Sequence, residues 1–203
     1  MSYLFAHGPL IAQLFGQHVA LVLVALLIAC AIALPLGVIA ARRPRLGAAI
    51  VAGTGVIYTI PSLALLAVLV VVLGIGPLSA IVALVLYAQL ALVRGIVAGL
   101  RGVDPALVEA ARGLGLSARQ TLVRVEFPVA LPVVLGGVRL ATITLVALAT
   151  VAAWIDAGGL GTLIFDGLAE HHTPPIVVGA LASAVLAIGA DAALRGAERL
   201  ARR

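Results

Sequence analysis

The sequence predicts an all-α integral membrane protein that crosses the bilayer about five times. Of its 203 residues, 64% are hydrophobic and only 10% are charged, and the mean hydropathy is +1.26, whereas soluble domains carry about a quarter charged residues. The apolar residues form long continuous runs, unlike the short alternating strands of a barrel, and about 20 of them suffice to cross the hydrocarbon core as a helix. We therefore expect one transmembrane domain over residues 1–203, surrounded by lipid.

Five apolar runs are long enough to span the membrane. Pro61 interrupts the second run, and because proline removes a helical hydrogen bond, we expect that helix to bend or break there. A carbonyl group freed in this way needs a partner inside the protein or in a wet cavity. Whether the run is one bent span or two half-spans stays open. The expected spans are approximately residues 19–41, 48–73, 78–100, 129–153 and 176–194.

Several other residues predict local features. Residues 1–18 carry apolar side chains at helical spacing and suggest a short interfacial helix, in which we interpret His18 as an interface residue. Gly95 and Gly99, four positions apart, suit a close contact between helices. Arg139 lies inside the fourth apolar run. Because a charge at the bilayer centre is costly, we expect it near the membrane face or directed into the protein.

The distribution of arginine predicts the orientation. The net charge is +5, and all thirteen basic residues are arginines. Segments on the cytoplasmic side are enriched in basic residues. With the N-terminus outside and the C-terminus inside, the arginines of residues 42–45, of the central polar segment and of the C-terminal tail all lie in the cytoplasm. The expected outer segments, residues 1–18, 74–77 and 156–175, contain no arginine.

The longest polar stretch, residues 103–128, has strong helix signals. Asp104-Pro105 is typical of a helix start, and Gly113 and Gly115 predict its end. Ser117-Ala118-Arg119-Gln120 then matches a capping box and predicts a second helix, which we expect to run to about residue 126 and to be ended by Pro128. From these residues alone, two interpretations remain open: a docking element for a polar partner, or a solvated connector between two spans.

Polar and aromatic residues in the second and third runs are candidates for a translocation path. The bend at Pro61 either lines such a path or is a simple packing kink. Aromatic rings attract quaternary ammonium groups, although aromatic residues of membrane proteins also serve packing. The candidate path residues are Tyr58, Pro61, Ser62, Tyr87 and Gln89.

No catalytic residues, metal ligands or cofactor site are predicted in this chain, and nothing indicates nucleic acid as a partner. Residues 158–161 are rich in glycine but lack the Lys-Ser/Thr pair with which a Walker A loop holds phosphate. His171 and His172 share a loop with acidic residues but lack a convincing ligand spacing. A self-contained channel or secondary transporter needs ionisable groups at membrane depth, and only Arg139 and Asp191 approach it.

The polar segment resembles the EAA signature of ABC-importer permeases. Glu109-Ala110-Ala111 is followed after three residues by Gly115, after nine more by Val125, and then by Phe127-Pro128. The family pattern has Ile at the position of Val125 and Leu at the position of Phe127, and both departures remain apolar. Because several fixed residues fall at one spacing, the signature is specific.

The similarity extends over nearly the whole chain to the glycine betaine/choline/carnitine osmoprotectant permeases. It is carried by residues 16–18 (GQH), 60–64 (IPSLA), 103–105 (VDP) and 157–161 (AGGLG). This resemblance implies a MetI-like fold with five core helices in the bacterial cytoplasmic (inner) membrane. It also implies a second permease subunit, identical or related, and transport of an osmoprotectant. Another small solute, such as an amino acid or a sulfonate, is the alternative.

The resemblance further implies that residues 106–117 form a coupling helix. This helix would seat in a groove of a cytoplasmic ABC ATPase dimer, which binds ATP and Mg, while a separate extracytoplasmic binding protein delivers the substrate. The residues expected to couple the permease to the ATPase are Glu109, Ala110, Ala111, Arg112, Gly113, Gly115 and Pro128.

Overall fold

The computed structural model describes residues 2–201, and within them all regular secondary structure is helical. A π-helical turn (Leu122–Glu126) and a 3₁₀ turn (Ala153–Ile155) extend α7 and α8 into one continuous rod over residues 118–155. The helices are α1 (Ser2–Ala6), α2 (Gly8–Arg42), α3 (Pro44–Thr59), α4 (Ser62–Leu73), α5 (Pro77–Arg101), α6 (Pro105–Gly113), α7 (Ala118–Thr121), α8 (Phe127–Ala152), α9 (Gly161–Ala169) and α10 (Thr173–Ala201).

Four helical stretches among residues 2–201 are long and apolar enough to cross a membrane: α2, α5, the rod of residues 118–155, and α10. The pair α3 and α4 passes the same test as a fifth span, but the two helices meet at an angle of 93°. Large apolar side chains, such as Leu27, Val71 and Ile188, are exposed on the outer surface of the bundle, which suits contact with lipid. The predicted all-α class with about five spans is confirmed.

The break between α3 and α4 falls at Pro61, as predicted. Ile60, the residue before the proline, takes an extended conformation with φ −65° and ψ 129°, as proline favours at that position. The hydroxyl of Tyr87 in α5 donates a hydrogen bond to the carbonyl oxygen of Ile60. A side chain of the protein therefore supplies the partner that a carbonyl at a break in an apolar helix requires.

The centre of the bundle is α5, which packs chiefly between α2 and α8. Small residues bring these backbones close together. A Cβ atom added to Gly95 would lie 2.9 Å from the Cα atom of Gly137, and one added to Gly99 would lie 3.0 Å from the carbonyl oxygen of Ala130. The close contact predicted from the spacing of Gly95 and Gly99 is therefore present, and α8 is the partner helix.

Arg139 is paired inside the protein, as predicted for a charge in an apolar run. Its Nε atom lies 2.9 Å from Oδ1 of Asp191, and its Nη1 atom lies 3.0 Å from Oε2 of Glu198. Both carboxylates belong to α10, and Asp191 also accepts hydrogen bonds from Arg195 one turn further along the same helix. This network fastens the C-terminal half of α10 to α8.

The prediction for residues 1–18 was wrong in two respects. Residues 8–18 are the first turns of α2, and among the described residues α1 is a separate short helix before them. His18 is fully buried, with an exposed fraction of 0%. Its Nε2 atom lies 3.1 Å from the carbonyl oxygen of Val146, and its Nδ1 atom accepts a hydrogen bond of 3.2 Å from the N–H of Leu160. These backbone partners, far away in sequence, explain why a polar residue is buried there.

We expect Gly137→Ala to destabilise the bundle, because its Cβ atom would lie 3.0 Å from both the Ala91 carbonyl oxygen and the Gly95 Cα atom. Overpacking of this kind costs about 1–3 kcal/mol. The neighbouring Gly136→Ala is the matched control, since no atom lies within 4 Å of its added Cβ. Thermal unfolding in detergent should show a lower midpoint for Gly137→Ala alone. Equal midpoints for the two variants would contradict the close packing.

Candidate functional site

The polar segment begins with the helix start that the sequence predicts. The carboxylate of Asp104 accepts a hydrogen bond of 2.9 Å from the N–H of Ala106, so it caps one of the free N–H groups at the start of α6. Pro105 occupies the first turn, where its missing N–H costs nothing. These two residues fix the place at which α6 departs from the end of α5.

The glycine turn after α6 is a Schellman motif. The N–H of Leu116 donates to the carbonyl oxygen of Ala111 at 3.2 Å, and the N–H of Gly115 donates to that of Arg112 at 2.9 Å. Gly115 has a φ of +81°, which glycine adopts without the steric cost that a Cβ atom brings. The chain can therefore reverse direction at residue 115 and leave the end of α6 exposed.

The predicted capping box is also present. The Ser117 hydroxyl accepts a hydrogen bond of 3.3 Å from the N–H of Gln120, and the Gln120 side-chain oxygen accepts one of 2.8 Å from the N–H of Ser117. Two of the backbone N–H groups at this helix start are thereby satisfied. This motif starts the rod of residues 118–155.

Pro128 does not end the second helix, contrary to the prediction. The rod continues through it because the preceding turn, residues 122–126, is π-helical, with the N–H of Phe127 bonded to the carbonyl oxygen of Leu122 five residues back. A π-helical turn leaves one carbonyl group without its usual partner. Pro128, which has no N–H to offer, lies two residues after this turn, in the first turn of α8.

Most of the predicted coupling residues lie together on the surface of α6 and its C-terminal turn. Within residues 2–201, no ion pair involves Glu109 or Arg112, so both charges face outward without a partner. Ala111 is buried and Pro128 is exposed on the rod. Leu107 and Leu114 expose 46% and 81% of their surface. We call the following set the α6 surface: Leu107, Glu109, Ala110, Arg112, Gly113, Leu114 and Gly115.

The structure brings four of the five candidate path residues together. Tyr58 and Tyr87 meet edge to face, with ring centroids 6.0 Å apart, beside the bend at Pro61. Ser62 and Tyr87 line a cavity of about 10 Å³, roughly the space of one water molecule. Gln89 lies elsewhere: it is buried, and its amide nitrogen lies 3.3 Å from the carbonyl oxygen of Ala29 in α2. In this conformation the group at the bend encloses no space for a solute.

Sequence reasoning did not anticipate two larger cavities at the opposite end of α2 from the polar segment. One, of about 550 Å³, is lined by residues that include Gln17, Asp156 and Thr162. The other, of about 450 Å³, is lined by acidic and aromatic residues that include Asp166 and Glu170. The Gln17 side chain accepts a hydrogen bond of 3.2 Å from the N–H of Gly159. Asp156 is the charged residue that lines the first cavity, whereas Asp166 and Glu170 share the lining of the second with His7 and His172.

Comparison with known proteins places this architecture in a family. Residues 33–203 match the family model described as "Binding-protein-dependent transport system inner membrane component". A carnitine transport permease protein of Listeria monocytogenes is 39% identical over 88% of this chain and 82% of its own length. A glycine betaine/carnitine/choline transport system permease protein of Bacillus subtilis is 36% identical over 98% of this chain and 92% of its own length.

Solved structures show the same fold. A chain from the inward-facing MetNI methionine ABC transporter aligns with a TM-score of 0.86 at 24% identity, over 95% of this chain and 96% of that one. A chain of an amino acid ABC transporter aligns with a TM-score of 0.79 at 19% identity, over 97% and 96% of the two chains. At these identities the likeness concerns the fold alone.

We expect Gly115→Ala to weaken the end of α6, because a left-handed backbone costs a residue with a Cβ atom about 1–2 kcal/mol. Gly113→Ala is the matched control, since Gly113 has helical geometry and no atom lies within 4 Å of either added Cβ. Hydrogen exchange of the amides in residues 105–121 should accelerate only in Gly115→Ala. Equal exchange in the two variants would show that the positive φ is not a constraint.

Proposed function

The chain belongs to the family of binding-protein-dependent transport system inner membrane components and is the permease subunit of an ABC importer, and on this premise we propose that it imports a quaternary-ammonium osmoprotectant. ATP hydrolysis belongs to a separate subunit of such an importer. The cargo is inferred from relatives named for carnitine, choline and glycine betaine transport, some of which align with 98% of this chain. Glycine betaine, choline and carnitine are therefore the proposed substrates.

We propose that the α6 surface docks onto a cytoplasmic ABC ATPase dimer that binds ATP and Mg. The observation that carries this proposal is the outward position of Glu109 and Arg112, which lack ion-pair partners among residues 2–201 and are flanked by exposed Leu107 and Leu114. A charged centre with apolar neighbours suits a protein partner better than lipid, because an unpaired charge in hydrocarbon is costly. The Schellman turn at Gly115 keeps the end of α6 clear for this contact.

The proposed assembly lies in the bacterial cytoplasmic membrane with the N-terminus outside. This orientation places the α6 surface and the arginines of residues 42–45 in the cytoplasm, in agreement with the bias of basic residues toward that side. The two larger cavities then open outward, toward a separate binding protein that delivers the substrate. A second permease subunit, identical or related, completes the pathway.

The proposed mechanism is mechanical. ATP binding closes the two ATPase subunits, which displaces the docked α6 of each permease, and the helices rock between inward-open and outward-open arrangements. The protein contributes rigid elements to this motion: the close contact of α5 with α8 at Gly95 and Gly137 and the ion pairs that hold α10 to α8. The candidate residues at the Pro61 bend would separate in the open arrangements and line the path.

We predict that Glu109→Lys reduces copurification of the ATPase and abolishes ATP-driven uptake, because it reverses the charge at the centre of the α6 surface. Membrane insertion should be unaffected, since Glu109 is exposed. Glu170→Lys is the matched control: it makes the same charge change at an exposed position remote from α6, and the ATPase should still copurify. Wild-type uptake by Glu109→Lys would contradict the docking proposal. Uptake without any ATPase would indicate a self-contained transporter.

The substrate proposal is tested on the partner binding protein. Quaternary ammonium groups bind to aromatic rings, so we expect glycine betaine, choline or carnitine to raise its melting temperature, with methionine as the negative control. Competition by the same compounds should reduce uptake in reconstituted vesicles. Stabilisation by an amino acid or a sulfonate, without any effect of the quaternary compounds, would assign the permease to a different solute.

A further inference from the structure

Residues at or beside both ends of the polar segment (residues 103–128) contact the same turn of α2. Arg101, the last residue of α5, donates a hydrogen bond of 2.9 Å from Nη2 to the carbonyl oxygen of Ala40. At the other end, Glu126 accepts one of 2.6 Å from Nη2 of Arg42. The segment therefore leaves the bundle beside the C-terminal turn of α2 and returns to the same turn. We call residues 40–42 the α2 end turn.

The contact at Glu126 depends on Arg42. Glu126 exposes only 3% of its surface, and its Oε1 atom has no hydrogen-bond partner in the described structure. The bond of its Oε2 atom to Arg42 is short and charge-assisted, which makes it stronger than a neutral hydrogen bond. Removing the arginine would leave a buried carboxylate without compensation, which is unfavourable. The two residues are therefore held together more firmly than an exposed ion pair would be.

The contact at Arg101 arises because helix ends leave carbonyl groups without intrahelical partners. The guanidinium group of Arg101 reaches the carbonyl oxygens of Ala40 and, at 3.5 Å, Ala41. Its positive charge also suits the negative C-terminal end of the helix dipole. Two arginines, one from α2 and one from α5, thus join the α2 end turn to the two ends of the polar segment.

The helix α6 itself packs mainly against α7 and the π-helical turn rather than against the long helices. A force applied to the α6 surface must therefore enter the bundle through the ends of the polar segment. Both ends meet the α2 end turn, so α2 receives the displacement from two sides. The neighbouring Arg43 and Arg45 are exposed, and neither forms an ion pair within residues 2–201.

We propose that Arg42, Glu126 and Arg101 are positioning residues that fasten the α2 end turn to the polar segment and make α2 follow α6 during transport. The contacts stay closed through the cycle and transmit motion. This inference rests on the proposed function, since it requires an ATPase that moves α6. It differs from that proposal in its location, because these residues lie outside the α6 surface that is proposed to dock onto the ATPase.

The test uses the full importer, reconstituted with its ATPase and binding protein. In Arg42→Ala and in Glu126→Gln, we expect uptake to fall about tenfold or more, the size of a typical coupling between sites, while the ATPase still copurifies and still hydrolyses ATP. Arg43→Ala is the matched control, because it removes an exposed arginine from the next position, and it should transport normally. The charge exchange Arg42→Glu with Glu126→Arg should recover part of the uptake.

The possible failures are distinguishable. If Arg42→Ala and Glu126→Gln both transport within about twofold of the wild type, well below a typical coupling effect, the inference is overturned. It is also overturned if they lose the ATPase, since the defect then concerns docking. If Glu109→Lys has no effect on uptake, the docking proposal on which this inference rests fails, whatever the outcome for Arg42 and Glu126.

Chemical cross-linking provides a gain of function that misfolding cannot imitate. The only cysteine, Cys30, is first replaced by alanine, and Arg42→Cys and Glu126→Cys are then combined. Uptake should be low in this variant and should recover when a bifunctional methanethiosulfonate reagent joins the two thiols, and reduction should remove the recovery. Each single-cysteine variant treated alike is the control. Cross-linking that fails to restore uptake would show that the contact must open, and it would overturn the inference.

Discussion

The structure depends on one constraint: inside a bilayer, a backbone N–H or carbonyl group that leaves a helix must find a partner within the protein. Side chains meet this need at irregular points of the bundle. Tyr87 bonds to the carbonyl of Ile60 at the bend between α3 and α4, and His18 links the backbones of α8 and the loop before α9. The side chains of Tyr87 and His18 therefore supply partners to backbone groups at a helix break and in a loop.

Local signals in the sequence predicted local structure well. Asp104-Pro105, Ser117 with Gln120, and Pro61 each act on backbone groups within a few residues, so their effects follow from spacing alone. The candidate coupling residues were predicted from the EAA signature, and its Gly115 is also the glycine of the turn that ends α6. Four of the five candidate path residues lie together, but Gln89 faces α2 rather than the bend. The direction in which a helical side chain points depends on the helices packed around it, and residue spacing does not specify those helices.

Two of the features that sequence reasoning missed depend on distant partners, and a third depends on an unusual local turn. His18 was interpreted as an interface residue because its partners, Val146 and Leu160, are more than a hundred positions away. Pro128 was expected to end a helix because the rule for proline assumes α-helical bonding, whereas a π-helical turn precedes it. The pairing of Arg42 with Glu126 has no local signature either, since both residues resemble ordinary charges at the ends of apolar runs.

The uninterrupted length of α2 has a geometric consequence. The helix runs from Gly8 to Arg42 without a break, even though Pro35 lies inside it, and it is held near one end at His18 and at the other at Arg42. At about 1.5 Å per residue, these two points are about 36 Å apart. A rod of that length is a lever: a tilt of about 10° around one point carries the other through about 6 Å, more than one turn of helix. A small tilt of α2 around His18, beside the loop before α9, would thus produce a large displacement of Arg42, beside the polar segment.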